Sequence, residues 1–226
     1  MSSIASTPTI PDALATRRVQ GLAALVAGPL FLTIVLVLTR VELDFMHGLG
    51  WRFTGDDDVP WPSGLALGPY GAVQVANFAA AGALLGVFAR GFRHELPASR
   101  MGRMAGVLVT AVAAALALGA IPTDHASAVT GSPDTWHGYV HAAGFVLLVL
   151  SALTAPLATA VALRKSRRWR GLPALSLGVV MLELILTVGL GSPGDPVFAV
   201  WLAVVFGWFA ALGARLRSLD DEPGVR

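Results

Sequence analysis

The sequence predicts an all-α fold, a polytopic membrane protein with six transmembrane helices in one bundle and both termini cytoplasmic. Three observations predict it. The 226 residues are 55% hydrophobic and only 13% charged, with a mean hydropathy of +0.68; a soluble domain carries about 25% charged residues. Apolar stretches of about 20 residues, the length a helix needs to cross a bilayer, recur along the chain. Fourteen of the sixteen Arg and Lys residues fall on one side of the resulting thread. This composition excludes a water-soluble globule and a disordered chain. A net charge of +2 argues against a nucleic-acid partner. The absence of cysteine excludes disulfides, thiolate metal sites, iron–sulfur clusters and cysteine nucleophiles.

The spans are predicted at 19–39, 70–89, 104–121, 133–163, 172–190 and 196–214. None shows the period-two alternation of a barrel strand, so helices follow. Start signals precede three of them. Gly68-Pro69 opens the second, and Ser132-Pro133 and Asp195-Pro196 open the fourth and sixth with an N-cap followed by proline. Direction follows from the basic residues. Arg17 and Arg18 precede the first span, and Arg90, Arg93, Arg100 and Arg103 flank the second loop. Arg164, Lys165, Arg167, Arg168 and Arg170 fill the fourth loop, and Arg215, Arg217 and Arg226 follow the last span. The other side holds Arg40 and Arg52 among acidic residues such as Glu42, Asp44, Asp56, Asp57, Asp58 and Asp124.

The expected organisation is a cytoplasmic tail over 1–18, a membrane domain over 19–214 and a second tail over 215–226, in the bacterial inner membrane. No cleavable signal peptide is expected, because the first apolar run is too long for one. Trp51, Trp61 and Trp136 are expected at the outer headgroup level. Gly82-x-x-x-Gly86, Gly102-x-x-x-Gly106 and the pair Ala79/Ala83 are expected helix contacts.

Polar residues inside the spans are costly and therefore informative. Glu183 is the only acidic residue deep in a span, and His141 lies one turn after His137 on one face of the fourth. Counting inward from the outer helix ends puts Thr33, Asn77, His141 and Glu183 roughly 10–12 Å deep, with Gln74 and His137 one turn higher. Asp124, His125 and Asp134 hang above this layer. Two readings stay open. One is a buried hydrogen-bond layer that fixes packing, with Glu183 protonated or paired with His141. The other is an outward-facing polar cavity for a ligand, a proton or a metal.

Several chemistries compete for the cavity. His137 and His141, with Asp124 as third ligand or water activator, fit a metal-assisted membrane hydrolase; a further His is available only from His47 or His125, on loops. Glu183 as a relay fits a small proton-coupled transporter working as an oligomer. Ser63, His137 and Asp124 can be drawn as a triad, but no Gly-x-Ser-x-Gly elbow surrounds the serine. Two histidines on one helix do not sandwich a haem, and no cofactor is expected. The default is a membrane binding or assembly role. Its partners are the lipid bilayer and a lipid or small-molecule ligand from the outer side, with oligomerisation open.

One order of motifs is specific in combination. Ala-Gly-Pro-Leu-Phe at 27–31 is followed by Ser-Gly-Leu-Ala-Leu-Gly-Pro-Tyr-Gly at 63–71 and Gln74-Val-Ala-Asn77-Phe78. Then come Ile-Pro-Thr-Asp124 and Trp136-His137-Gly138-x-x-His141. Over roughly residues 19–214 the chain resembles domain-of-unknown-function family 998, prokaryotic integral membrane proteins. The resemblance implies six membrane helices and no particular activity. Ser63, Asn77, Asp124, His137 and His141 match its polar motif positions; Ile121 and His125 depart from the family's Phe-Pro-Thr-Asp-Pro.

Overall fold

A computed structural model describes residues 10–53, 61–124, 135–189 and 195–219. Among the described residues every regular element is helical. In chain order they are α1 (Ile10–Val41), α2 (Leu43–Gly48), a 3-10 turn (Ser63–Leu67), α3 (Gly71–Glu95) and α4 (Arg100–Gly119). There follow α5 (Trp136–Leu163), a 3-10 turn (Arg167–Trp169), α6 (Leu172–Leu184) with a π-helical turn (Ile185–Gly189), and α7 (Asp195–Ser218).

Five helices, α1, α3, α4, α5 and α7, are long and apolar enough to cross a membrane. The predicted fifth span is a shorter apolar helix, 16 residues over Leu172–Thr187, below the roughly 20 that a perpendicular crossing takes. The expected count of six thus becomes five long helices and one short one. The predicted N-cap Ser132 and its Pro133 lie outside the described residues, as do His125 and Asp134; α5 is described from Trp136.

The helices form a ring of neighbours. α1 packs on α3, α3 on α4, α4 on α5, α5 on α6 and α6 on α7, and α7 closes the ring on α1. Helices consecutive in the chain are thus neighbours in space, as in an up-and-down bundle. Aromatic side chains fill the seam between α1, α3 and α7. Phe31 lies edge-on to Phe78 with ring centres 5.2 Å apart and 5.3 Å from Phe206, and Phe88 meets Phe209 at 5.8 Å.

The end opposite the Arg-rich loops is closed by α2 and the first 3-10 turn. Two of the tryptophans expected at the outer headgroup level turn inward. Trp51 and Trp61 are buried, and the Trp61 indole N–H donates to Thr39 Oγ1 at 3.0 Å. Of the three, Trp136 alone is exposed. The expected small-residue contacts also divide. Gly82 packs directly on the α4 backbone, whereas Ala79 and Ala83 are exposed and Gly86 faces open space.

Two buried acids hold the ends together. At the Arg-rich end Glu95 takes Arg17 at 2.7 Å and Arg168 at 2.9 Å, and Arg215 Nε donates to the Arg168 carbonyl at 2.8 Å. The cluster ties α1, α3, α7 and the loop before α6. Its Glu95 is almost fully covered while the arginines stay partly open to water. Glu95→Gln should cost about 1–3 kcal/mol, below the range for a fully buried pair because the guanidinium groups are partly solvated. Thermal unfolding in detergent measures it, and an unchanged midpoint would show the cluster to be ornamental.

At the opposite end Glu42, just past α1, is buried; its Oε1 accepts from the Tyr70 backbone N–H at 2.6 Å and its Oε2 has no partner. Burial pushes this carboxyl above its usual 4.5, and the Tyr70 N–H partly offsets the rise. An acid whose folded pKa is raised binds more protons folded than unfolded. Its contribution to stability is therefore greatest below pH 4.5 and declines as pH climbs to the raised value. Glu42→Gln keeps an acceptor for Tyr70 and carries no charge. Unfolding midpoints followed from about pH 4 to about pH 8 should fall less for the variant than for the parent; parallel curves would contradict this.

Candidate functional site

The polar residues singled out in the sequence separate into three groups. The first is a connected network around His141. This histidine is on the buried face of α5, and both of its ring nitrogens are engaged. Nδ1 is 2.6 Å from the carbonyl of Ile121, just beyond α4, and Nε2 is 2.9 Å from Ser63 Oγ on the 3-10 turn. On α3, one turn apart, Gln74 Nε2 donates to the Pro62 carbonyl at 3.3 Å. Asn77 Nδ2 donates to the Phe31 carbonyl at 3.1 Å and to Gln74 Oε1 at 3.2 Å. The residue four on from Phe31 is Val35, which has an N–H to give, so the Asn77 bond adds a second donor to a carbonyl of the α1 ladder, and Asn77 and Gln74 are both buried. The network ties the 3-10 turn to α1, α3, α4 and α5.

The second group is the start of α5. Asp124 accepts from the Thr135 backbone N–H, and its Oδ1 accepts from Thr135 Oγ1 at 2.9 Å. The same Oδ1 lies 3.3 Å from His137 Nδ1. A carboxylate at a helix N-terminus meets unpaired N–H groups and the positive end of the helix dipole. Asp124 thus caps α5 from a separate segment. His137 is the open member of the pair, with 38% of its side chain exposed against 5% for Asp124.

The third is Glu183, alone. Its residue surface is fully buried on α6 and neither carboxyl oxygen has a hydrogen-bond partner. The expected pairing with His141 fails on depth. Phe145 and Val149 of α5 share a cavity with Leu186 and Thr187 of α6. Continuing that antiparallel register places Glu183 about three turns, or roughly 16 Å, further along α5 than His141. Depth counted inward from each helix end failed because the ends are not level. Thr33 also leaves the layer, being exposed on α1.

These distances bear on metal chemistry. Among the described residues no three of His, Asp and Glu come together as ligands. Asp124, His137 and His141 do not converge on one point: the first two pair at the rim of α5, and the third is saturated by Ser63 and Ile121. The drawn triad is likewise split, because Ser63 meets His141 rather than His137. Sequence reasoning missed Glu42 and Glu95 as buried acids. It counted Glu42 only as a charge on the outer side and did not single out Glu95, and nothing in their local sequence signals burial.

Helical content, apolar spans and a ring of antiparallel neighbours define the class as a multi-pass helical membrane protein. Within that class, the family described as protein of unknown function (DUF998) matches residues 62–215, and the chain belongs to it. No curated protein and no solved structure matches the chain.

Proposed function

We propose that the chain is a six-span protein of the bacterial inner membrane with cytoplasmic termini. Its tails at 1–18 and 215–226 flank one membrane domain, and its role is ligand or partner binding at the extracytoplasmic face. The charge distribution supports the direction. Helix parity supports six crossings. The Arg215 side chain at the end of α7 reaches Arg168 before α6, so α6 starts at the end of the bundle where α7 finishes, as a sixth crossing requires. A cysteine-free chain makes the orientation simple to test. Asp57→Cys should react with an impermeant maleimide on intact cells and Arg167→Cys only after permeabilisation; the reverse pattern contradicts the proposal.

One observation carries the binding reading. Both His141 nitrogens and the amide nitrogens of Gln74 and Asn77 are committed to protein partners, while the His137 ring stands open over Asp124. The centre of the layer is committed internally, and its rim offers a His–Asp pair beside the exposed ring of Trp136. A lipid headgroup, small molecule or envelope protein that approaches this rim meets a His–Asp pair flanked by an aromatic ring. A photo-crosslinking benzoylphenylalanine in place of Trp136 should give a defined adduct in cells. His137→Ala should abolish it; an adduct indifferent to that change, or none, contradicts the reading.

A second reading has a specific observation in its favour. Ser63 Oγ lies 2.9 Å from His141 Nε2, and Ile121 O fixes the opposite ring nitrogen at 2.6 Å. That is the nucleophile, base and orienting group of a serine acyl-transfer enzyme, with a backbone carbonyl in place of the carboxylate. Fluorophosphonate labelling of Ser63, lost in His141→Ala, would establish it; an unlabelled parent protein removes it.

A further inference from the structure

The Glu183 carboxyl has a counterpart on the neighbouring helix. Ser176 and Glu183 lie seven residues apart on the buried face of α6, and Trp201 and Trp208 lie seven apart on α7. Seven residues are close to two helical turns, so each pair occupies one face. The Trp208 indole N–H donates to Ser176 Oγ at 2.9 Å, which sets the register between these antiparallel helices. Two turns toward the opposite end, the same register sets Trp201 against Glu183. Trp201 is buried at 4% exposure, and its indole nitrogen has no hydrogen-bond partner, like both oxygens of Glu183. Two unpartnered groups of complementary type, on adjacent helices at one level, are an expensive arrangement for a protein interior to hold empty.

Trp201 lines a cavity of about 80 Å³ with Phe145, Val149, Leu186, Thr187, Val197 and Phe198, and Glu183 lies one turn along α6 from its Leu186. Its wall is aromatic: Phe198 stacks on Trp201 with ring centres 5.5 Å apart and Phe145 meets Phe198 at 6.0 Å. The surrounding surface is apolar and outward-facing, with Phe145, Leu182, Leu184 and Ile185 all exposed. In a membrane that surface is bathed by hydrocarbon chains, so a ligand reaches the cavity from within the bilayer.

We propose that this is a binding site for the hydroxyl group of a membrane-dissolved amphiphile. A hydroxyl donates one hydrogen bond and accepts another, so it satisfies a Glu183 oxygen and the Trp201 N–H together while its apolar tail runs out past Phe145. An ammonium group answers only Glu183, and an ether only Trp201. The site is distinct from the Asp124–His137 rim, and its failure would leave the rim reading intact.

The test uses the full chain in phosphatidylcholine nanodiscs, whose lipid headgroups carry no hydroxyl, with a diazirine-bearing analogue of 1-decanol as the probe. Photolysis should attach it to peptides that carry residues 145–149 or 183–201. Unlabelled 1-decanol should compete, and decyl methyl ether, of similar tail and no donor, should not. Trp201→Phe keeps the ring stack on Phe198 and removes the N–H, and should weaken competition about tenfold. Glu183→Gln keeps shape and an acceptor, so it should fold and retain labelling. Equal competition by the ether, labelling unchanged in Trp201→Phe, or attachment confined to other segments overturns the proposal. No labelling at all also overturns it and leaves the site to water.

Discussion

Gly213→Leu is expected to destabilise the protein by about 3 kcal/mol or more, at or beyond the usual ceiling for overpacking. A Cβ on Gly213 would stand 2.6 Å from the carbonyl oxygen of Gly21, and a Cβ on Gly21 would stand 2.5 Å from that of Gly213. Each obstacle is backbone, so no rotamer change relieves it. α1 and α7 have to part along the seam where they close the ring, and the contact between Phe31 and Phe206 opens with them. Gly207, on the same helix, is the matched control. A Cβ there meets nothing within 4 Å, and Gly207→Leu should be neutral or slightly stabilising because leucine is the better helix former by up to about 1 kcal/mol. Unfolding midpoints of the two variants in one detergent make the comparison. Equal midpoints would mean that α1 and α7 do not meet at these glycines.

His141→Leu is expected to have the next largest effect, about 2–5 kcal/mol. The leucine fills similar space, so the loss is mainly polar. It strands Ser63 Oγ and the Ile121 carbonyl, and each buried group left without a partner costs about 1–3 kcal/mol. Ser63 is partly exposed and recovers some of this from water; the carbonyl of Ile121, at the end of α4, does so less readily. The variant should also loosen the 3-10 turn, because His141 is the link between that turn and α5. Hydrogen exchange over 61–68 should accelerate in His141→Leu and stay slow in His137→Leu. The same rate in both would assign His141 no role in holding the turn.

Much of this architecture was legible because its causes are local. A run of apolar residues bounded by Gly68-Pro69 or by an Arg cluster reads as a membrane helix whatever surrounds it. Gln74, Asn77 and His141 were recognisable as a layer because a polar side chain in an apolar helix needs a partner; Ser63, outside the spans, was singled out by the family motif. Features that arise between segments were not legible. The Gly21–Gly213 contact joins the first helix to the last, with no repeat within either to mark it. Trp51 and Trp61 read as interfacial anchors because their burial leaves no trace in hydropathy. The placement of Glu183 beside His141 required level helix ends, and α6 is too short to provide them. Asp124 was identified as a site residue but not as the cap of α5, since the Thr135 that it holds lies 11 residues on.

The central claim is that the polar layer is a structural network around His141 to which Glu183 does not belong. Two double-mutant cycles of stability in detergent test it, Ser63→Ala with His141→Leu and Glu183→Leu with His141→Leu. The Ser63–His141 cycle should show coupling of about 1–2 kcal/mol, and the Glu183–His141 cycle should be additive within about 0.5 kcal/mol. Strong coupling between Glu183 and His141, or additivity between Ser63 and His141, would contradict the account.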